Sequence, residues 1–130
     1  MSIASPQIGR VYVVDDDPHF SRLVATLVRS IGLEPAEFDR ARAFLEAYDA
    51  SLPSCAVMDF CLPELNGLDA MIELRRVAHD APVIFVSGFA DVSMAIAAMK
   101  LGASEFLQKP CTASVLADAI QQAFGASQHI

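Results

Sequence analysis

Three aspartates, one hydroxyl and one lysine are the groups of this sequence that could do chemistry together: Asp15, Asp16, Asp59, Ser87 and Lys109. They close, or directly follow, four short runs at residues 10–15, 54–59, 82–87 and 104–109. Carboxylates gathered at one point repel, and their pKa values rise unless a cation sits among them. Hard oxygen ligands without histidine or cysteine suit Mg²⁺ (or Mn²⁺), which keeps several waters and binds alongside a phosphate. A lysine and a hydroxyl on the far side would hold the remaining phosphoryl oxygens. Asp59 would then supply the attacking oxygen, while the cation and Lys109 neutralise charge in a loose transition state. The chemistry that results is formation of an aspartyl phosphate. Singly, each feature is ordinary: a triple aspartate caps a helix, a serine ends a strand, Lys-Pro marks a boundary. Their joint placement is what points to a site.

That placement depends on the elements. Arg10 to Asp15 is a β-branched run read as a buried strand. Asp17 followed by Pro18 is a helix start, and Phe20, Leu23, Val24, Leu27, Val28 and Ile31 recur at helical spacing until Gly32. Residues 33–38 contain Pro35 and read as an edge strand. Ala41, Phe44, Leu45 and Tyr48 mark a second helix closed by Leu52-Pro53. The third strand ends at Asp59, and Pro63 and Gly67 force a turn into a third helix through Leu68, Met71, Ile72 and Leu74 to about Ala78. The fourth strand ends on Ser87. Asp91 is expected to cap a fourth helix with Val92, Ala95, Ile96 and Met99 on its apolar side, ended by Gly102. A fifth strand of mixed polarity reaches Lys109-Pro110, and Thr112 starts a last helix through Val115, Leu116, Ala119, Ile120 and Ala123 to Gly125.

Five strand–helix alternations predict an α/β fold: a doubly wound parallel sheet covered on both faces. The most apolar strands are the first, third and fourth, with the second and fifth as edges; the order 2-1-3-4-5, one of the two common doubly wound arrangements, satisfies this and puts the switch point between strands 1 and 3. Ligands bind outside the carboxyl ends of such strands, where all five chemical groups would meet.

The 130 residues, 54% hydrophobic and 19% charged, suit one ordered domain. A net charge of −7 opposes direct nucleic-acid binding. No apolar run is long enough to span a bilayer, and the N-terminus lacks signal-peptide character, so a cytoplasmic protein is expected. Cys55, Cys61 and Cys111 have no metal spacing and read as buried or half-buried thiols. His19, His79 and His129 are too scattered for a metal site.

The sequence resembles the receiver domain of two-component response regulators, a flavodoxin-like fold. The matching segments are Val13-Val-Asp-Asp-Asp17, Met58-Asp-Phe-Cys-Leu-Pro63 with Asn66-Gly67, Val86-Ser-Gly88 and Phe106-Leu-Gln-Lys-Pro110, in order over nearly the whole chain. Residues 91–103 are most similar to FixJ-like and NtrC-like transcriptional regulators. The resemblance implies a receiver at 10–125 between an N-terminal extension, 1–9, and a tail, 126–130. It implies that Asp59 is the phosphoacceptor. Asp16 and Asp59 would be direct Mg²⁺ ligands, Asp15 would act mainly through water, and the Cys61 backbone carbonyl would complete the metal site. Ser87 matches the hydroxyl that turns toward the phosphoryl group, Lys109 the lysine that pairs with it, and Phe106 the aromatic that moves inward with the hydroxyl. Phe60, Gly88, Phe89 and Pro110 neighbour the phosphoryl site, and the Lys109–Pro110 bond matches one commonly cis.

Departures are small. Serine stands at 87 where threonine is more frequent, Leu62 stands where methionine is common, and Phe106 lacks a tyrosine hydroxyl. Cys61 and Phe89 position attacking water poorly, which implies a long-lived phosphoryl group. The donor would be a sensor histidine kinase, with His19, Phe20, Pro110 and Cys111 as contacts. The output would be a remodelled face of the fourth helix, fifth strand and fifth helix, including Met94, Ala98, Lys100, Gln108 and Gln121. That face would control a homodimer or a DNA-binding output domain outside this chain, the receiver half of a longer transcription factor being favoured over a stand-alone regulator. On this reading the protein is no enzyme beyond its own phosphorylation and dephosphorylation. Two alternatives are a receiver-shaped binding module that works without phosphorylation and a phosphatase of the haloacid dehalogenase type. The latter wants its nucleophile on the first strand and usually a cap insertion.

Overall fold

A computed structural model describes residues 9–88 and 92–128. Five strands, β1 (Arg10–Val14), β2 (Glu34–Phe38), β3 (Ser54–Asp59), β4 (Val83–Ser87) and β5 (Glu105–Gln108), alternate with five helices. The helices are α1 (Pro18–Ser30), α2 (Ala41–Ala47), α3 (Gly67–Val77), α4 (Val92–Lys100) and α5 (Ala113–Gln128). The sheet is parallel throughout and has the expected order, β2-β1-β3-β4-β5, with the three most apolar strands at its centre.

Successive strand residues point to opposite faces, and here both faces are covered, so the central strands are apolar without alternation. One core takes Tyr12, Val14, Ala56, Met58, Val83 and Phe85 with side chains of α2, α3 and α4. The other takes Val11, Val13, Cys55, Val57, Ile84 and Val86 with α1 and α5. β1, β3 and β4 are almost wholly buried, whereas β2 and β5 are half-exposed edges.

Local signals fix the helix starts. Asp17 accepts from the His19 amide at 3.0 Å with Pro18 opening α1, and Gly32 leaves it at φ 83°. Asn66 caps α3 by accepting from Asp69 N at 2.9 Å, and Thr112 Oγ1 accepts from Val115 N at 3.2 Å. Gly67 is required by proximity: a Cβ there would lie 2.8 Å from Phe85 Cε1 and 2.9 Å from the Phe60 Cα. The Gly67 amide bonds Phe60 O at 2.8 Å, closing the loop that follows Asp59.

Five expectations are corrected. α2 ends at Ala47: Tyr48 is extended (ψ 129°), and the Asp49 amide leaves the helix to donate to the buried Tyr12 hydroxyl at 2.9 Å. The apolar side expected for α4 is wrong. Val92, Ile96 and Met99 are exposed, while Ala98 is fully buried and Met94 packs against the core. Ala98 therefore cannot belong to an exposed output face, although Lys100, Gln108 and Gln121 are exposed. α5 continues through Gly125 to Gln128. In the other helices, Leu23, Ile72 and Val115 are likewise exposed rather than core. The fifth correction concerns Cys61. Cys55 is buried and Cys111 half-buried, but Cys61 is exposed because it stands beyond the last sheet residue. The expected cap Asp91 lies outside the described residues.

Candidate functional site

The strand ends are laced together just where the chemical groups emerge. Asp15 N bonds Phe38 O at 3.0 Å, Phe60 N bonds Val86 O at 3.2 Å and Lys109 N bonds Ser87 O at 2.9 Å. These bonds continue the sheet one residue past its strands, so the side chains at 15, 59, 87 and 109 are carried on a stiff frame.

Asp15 is buried, and both of its oxygens are engaged. Oδ1 accepts from Asp17 N at 2.9 Å and Oδ2 accepts from Lys109 Nζ at 2.7 Å. Asp16 is exposed. Asp59 is nearly buried, its Oδ1 accepting from Cys61 N at 2.9 Å and its Oδ2 3.6 Å from Lys109 Nζ. Burial pushes the Asp59 carboxyl above the usual carboxylate range, the Cys61 amide and the Lys109 charge offsetting this only in part. For Lys109 burial works against the ammonium, but the hydrogen bonds and charges of Asp15 and Asp59 together outweigh it, and its pKa lies above that of an ordinary lysine.

One carboxylate oxygen each of Asp15, Asp16 and Asp59 can be chosen within 4.8 Å of one another. The cluster therefore fits a small divalent cation bound by hard oxygen donors.

Ser87 is fully buried, its Oγ 3.7 Å from Cys61 Sγ. Behind it Phe106 is half-buried, its ring 5.4 Å from that of Phe60 and 6.2 Å from that of Phe85. Lys109–Pro110 is cis, and Gly88 is exposed beside Ser87. Phe89 lies outside the described residues.

All five groups singled out from the sequence thus stand at the carboxyl edge of one sheet, and Asp15, Asp16, Asp59 and Lys109 are drawn together there. Two contacts were not foreseen. The Cys61–Ser87 approach needs a register between two loops that spacing alone does not give. The other joins α1 to the site: Lys109 Nζ lies 4.3 Å from the centroid of the Phe20 ring. Phe20 also walls an apolar groove between α1 and α5, of about 460 Å³, shared with Leu23, Leu27, Pro110, Cys111 and Leu116.

With Asp59 at the end of β3 rather than β1, the arrangement is not that of a haloacid dehalogenase. Residues 11–121 match the response regulator receiver domain, and the chain belongs to that family. It is a receiver domain of the two-component response regulators, and its relatives include transcriptional regulators. It is 43% identical over 110 residues to nodulation protein W of Bradyrhizobium diazoefficiens, covering 85% of this chain and 48% of that protein. It is 38% identical over 123 residues to the transcriptional regulatory protein FixJ of Azorhizobium caulinodans, covering 94% of this chain and 58% of that protein. The chain thus spans about half the length of the curated relatives it matches. Among solved structures, the beryllofluoride-activated NtrC4 receiver domain dimer matches with a TM-score of 0.85 at 27% identity, covering 92% of this chain and 98% of that one. No helix among the described residues is long and apolar enough to cross a membrane.

Proposed function

We propose that Asp59 accepts a phosphoryl group from a phosphohistidine of a sensor histidine kinase. An Asp59 carboxylate oxygen attacks phosphorus, the P–N bond breaks, and the imidazole nitrogen leaves with the bonding pair and takes up a proton. The observation that carries this reading is one ammonium shared between a buried aspartate and the acceptor, 2.7 Å from Asp15 and 3.6 Å from Asp59. Lys109 is a short shift from the oxygens of a group on Asp59, where it would neutralise developing charge. Mg²⁺ (or Mn²⁺), held by Asp16, Asp59 and the Cys61 carbonyl with Asp15 acting through water, would supply further neutralisation of the phosphoryl oxygens.

The response is a two-state switch. The new charge draws the Ser87 hydroxyl from the Cys61 thiol toward the phosphoryl group, and Phe106 moves further into the space behind it. The surface of α4, β5 and α5 is remodelled as a result. That surface controls a homodimer, a reading supported by the dimer named for the activated NtrC4 receiver, or a DNA-binding output domain in a longer chain. The receiver occupies residues 10–125, works in the cytoplasm and catalyses only its own phosphorylation and dephosphorylation. Size-exclusion chromatography with light scattering, with and without Mg²⁺ and beryllofluoride, tests the switch: a dimer only with both supports it, and an unchanged monomer confined to Asp59→Asn is the required control.

A further inference from the structure

A lysine is hard to hold still. Its ammonium sits on a flexible four-carbon stem and its three donors rotate freely. Lys109 has two carboxylate neighbours, Asp15 Oδ2 at 2.7 Å and Asp59 Oδ2 at 3.6 Å. Its third neighbour is the Phe20 ring, with Nζ 4.3 Å from the centroid. A ring face carries negative quadrupole charge and attracts an ammonium within about 6 Å.

Phe20 is well placed to act as a seat. It is the third residue of α1, whose start is fixed by Asp17 and Pro18, directly after the loop that carries Asp15 and Asp16. The ring is half-buried and packs on the core formed by α1 and α5, so it cannot swing freely. It offers no hydrogen-bond acceptor of its own. The ammonium therefore keeps its donors for oxygens while the ring limits where it can sit, and an attraction without lone-pair directionality lets the nitrogen slide between Asp15 and Asp59.

We propose that Phe20 is a positioning residue for phosphoryl transfer: its ring face holds the Lys109 ammonium over the carboxylates, ready to pass from Asp15 to the oxygens of a phosphoryl group on Asp59. This rests on the reading of Asp59 and Lys109 given above. It differs from a packing role, because packing depends on the shape of residue 20 and this role depends on the electrons of its ring.

The test is the initial rate of phosphorylation by acetyl phosphate with Mg²⁺, followed by intact mass. Wild type is compared with Phe20→Leu, Phe20→Tyr and proteins carrying mono-, di- and trifluorinated phenylalanine at position 20. Leucine should slow the reaction about 3- to 10-fold, the worth of a partly desolvated cation–π contact, and tyrosine should retain the rate. Fluorines drain the ring face with little change of shape, so the rate should fall stepwise with each one added. Even if leucine disturbs folding, the fluorinated series keeps the packing. A modified wild type with a flat fluorine series overturns the role of Phe20 alone. A wild type that takes no phosphoryl group overturns the reading of Asp59, and this proposal with it.

Discussion

Lys109 is hydrogen-bonded to Asp15, at 2.7 Å, while the proposed phosphoacceptor Asp59 stands 3.6 Å away. The ammonium is part-buried and Asp15 almost wholly so, and truncating one partner of such a pair leaves the other charge uncompensated. The bond thus stores the lysine beside its target and balances one of three crowded acids.

Lys109→Met should move two measurements in opposite directions. Loss of the positive charge leaves the Asp15, Asp16 and Asp59 cluster more negative, so Mg²⁺ should bind several-fold more tightly by calorimetric titration. Phosphorylation by acetyl phosphate should slow by about 10²-fold, the scale for losing one preorganised group that neutralises transition-state charge. A variant that loses metal affinity as well would contradict the geometry.

Asp59 should set a pH dependence of stability. Burial, first among its causes, raises its carboxyl above the ordinary 3.8, so the folded chain keeps this proton to higher pH than the unfolded chain does. In metal-free solution its contribution therefore falls as pH rises from the unfolded value through the folded one, and its full cost is present above the folded value. Metal-free Asp59→Asn should melt above wild type at pH 7, the gap narrowing as pH is lowered to 3.8 and below. Mg²⁺ should raise the melting temperature of wild type far more than that of the variant. Thermal melts by circular dichroism check this, and a wild type melting above Asp59→Asn at pH 7 without metal would contradict it.

Gly67→Ala should destabilise the fold and damage the site together. The added Cβ meets Phe85 Cε1 at 2.8 Å and the Phe60 backbone at 2.9 Å, and overpacking of this kind costs about 1–3 kcal/mol. Phe60 directly follows Asp59, so any relief moves the acceptor. Urea denaturation gives the first effect and the phosphorylation rate the second.

The thiols should separate by reactivity. Cys55 is buried and its pKa is pushed up to about 12, so its thiolate is scarce, whereas Cys61 is exposed. A maleimide should label Cys61 before Cys55 in the native protein, as peptide mapping would show. The adduct, attached 3.7 Å from Ser87 Oγ and one residue beyond Phe60, should block phosphorylation of Asp59.

The centre and edges of the sheet were legible because burial on both faces forces unbroken apolar runs, and only β1, β3 and β4 have them; the order is the common doubly wound one compatible with that. The site was legible because strand ends of one parallel sheet must share an edge, which brings residues 15, 59, 87 and 109 together whatever the loops do. α4 was misread for a physical reason: its sequence, Val-Ser-Met-Ala-Ile-Ala-Ala-Met-Lys, is apolar or small nearly all round, so periodicity selects no face. Packing selects one, burying Ala98 and leaving Val92, Ile96 and Met99 exposed. The early end of α2 depends on the Tyr12 hydroxyl, 37 residues away in the chain. The seat of Lys109 on Phe20 is likewise a long-range contact that no local pattern announces.

The central claim is tested most directly by intact mass after incubation with acetyl phosphate and Mg²⁺, beside Asp59→Asn and a metal-free control. The account predicts one added phosphoryl group that requires both the metal and Asp59. An adduct that persists in Asp59→Asn, or a wild type that neither takes the group nor binds beryllofluoride with Mg²⁺, would contradict it.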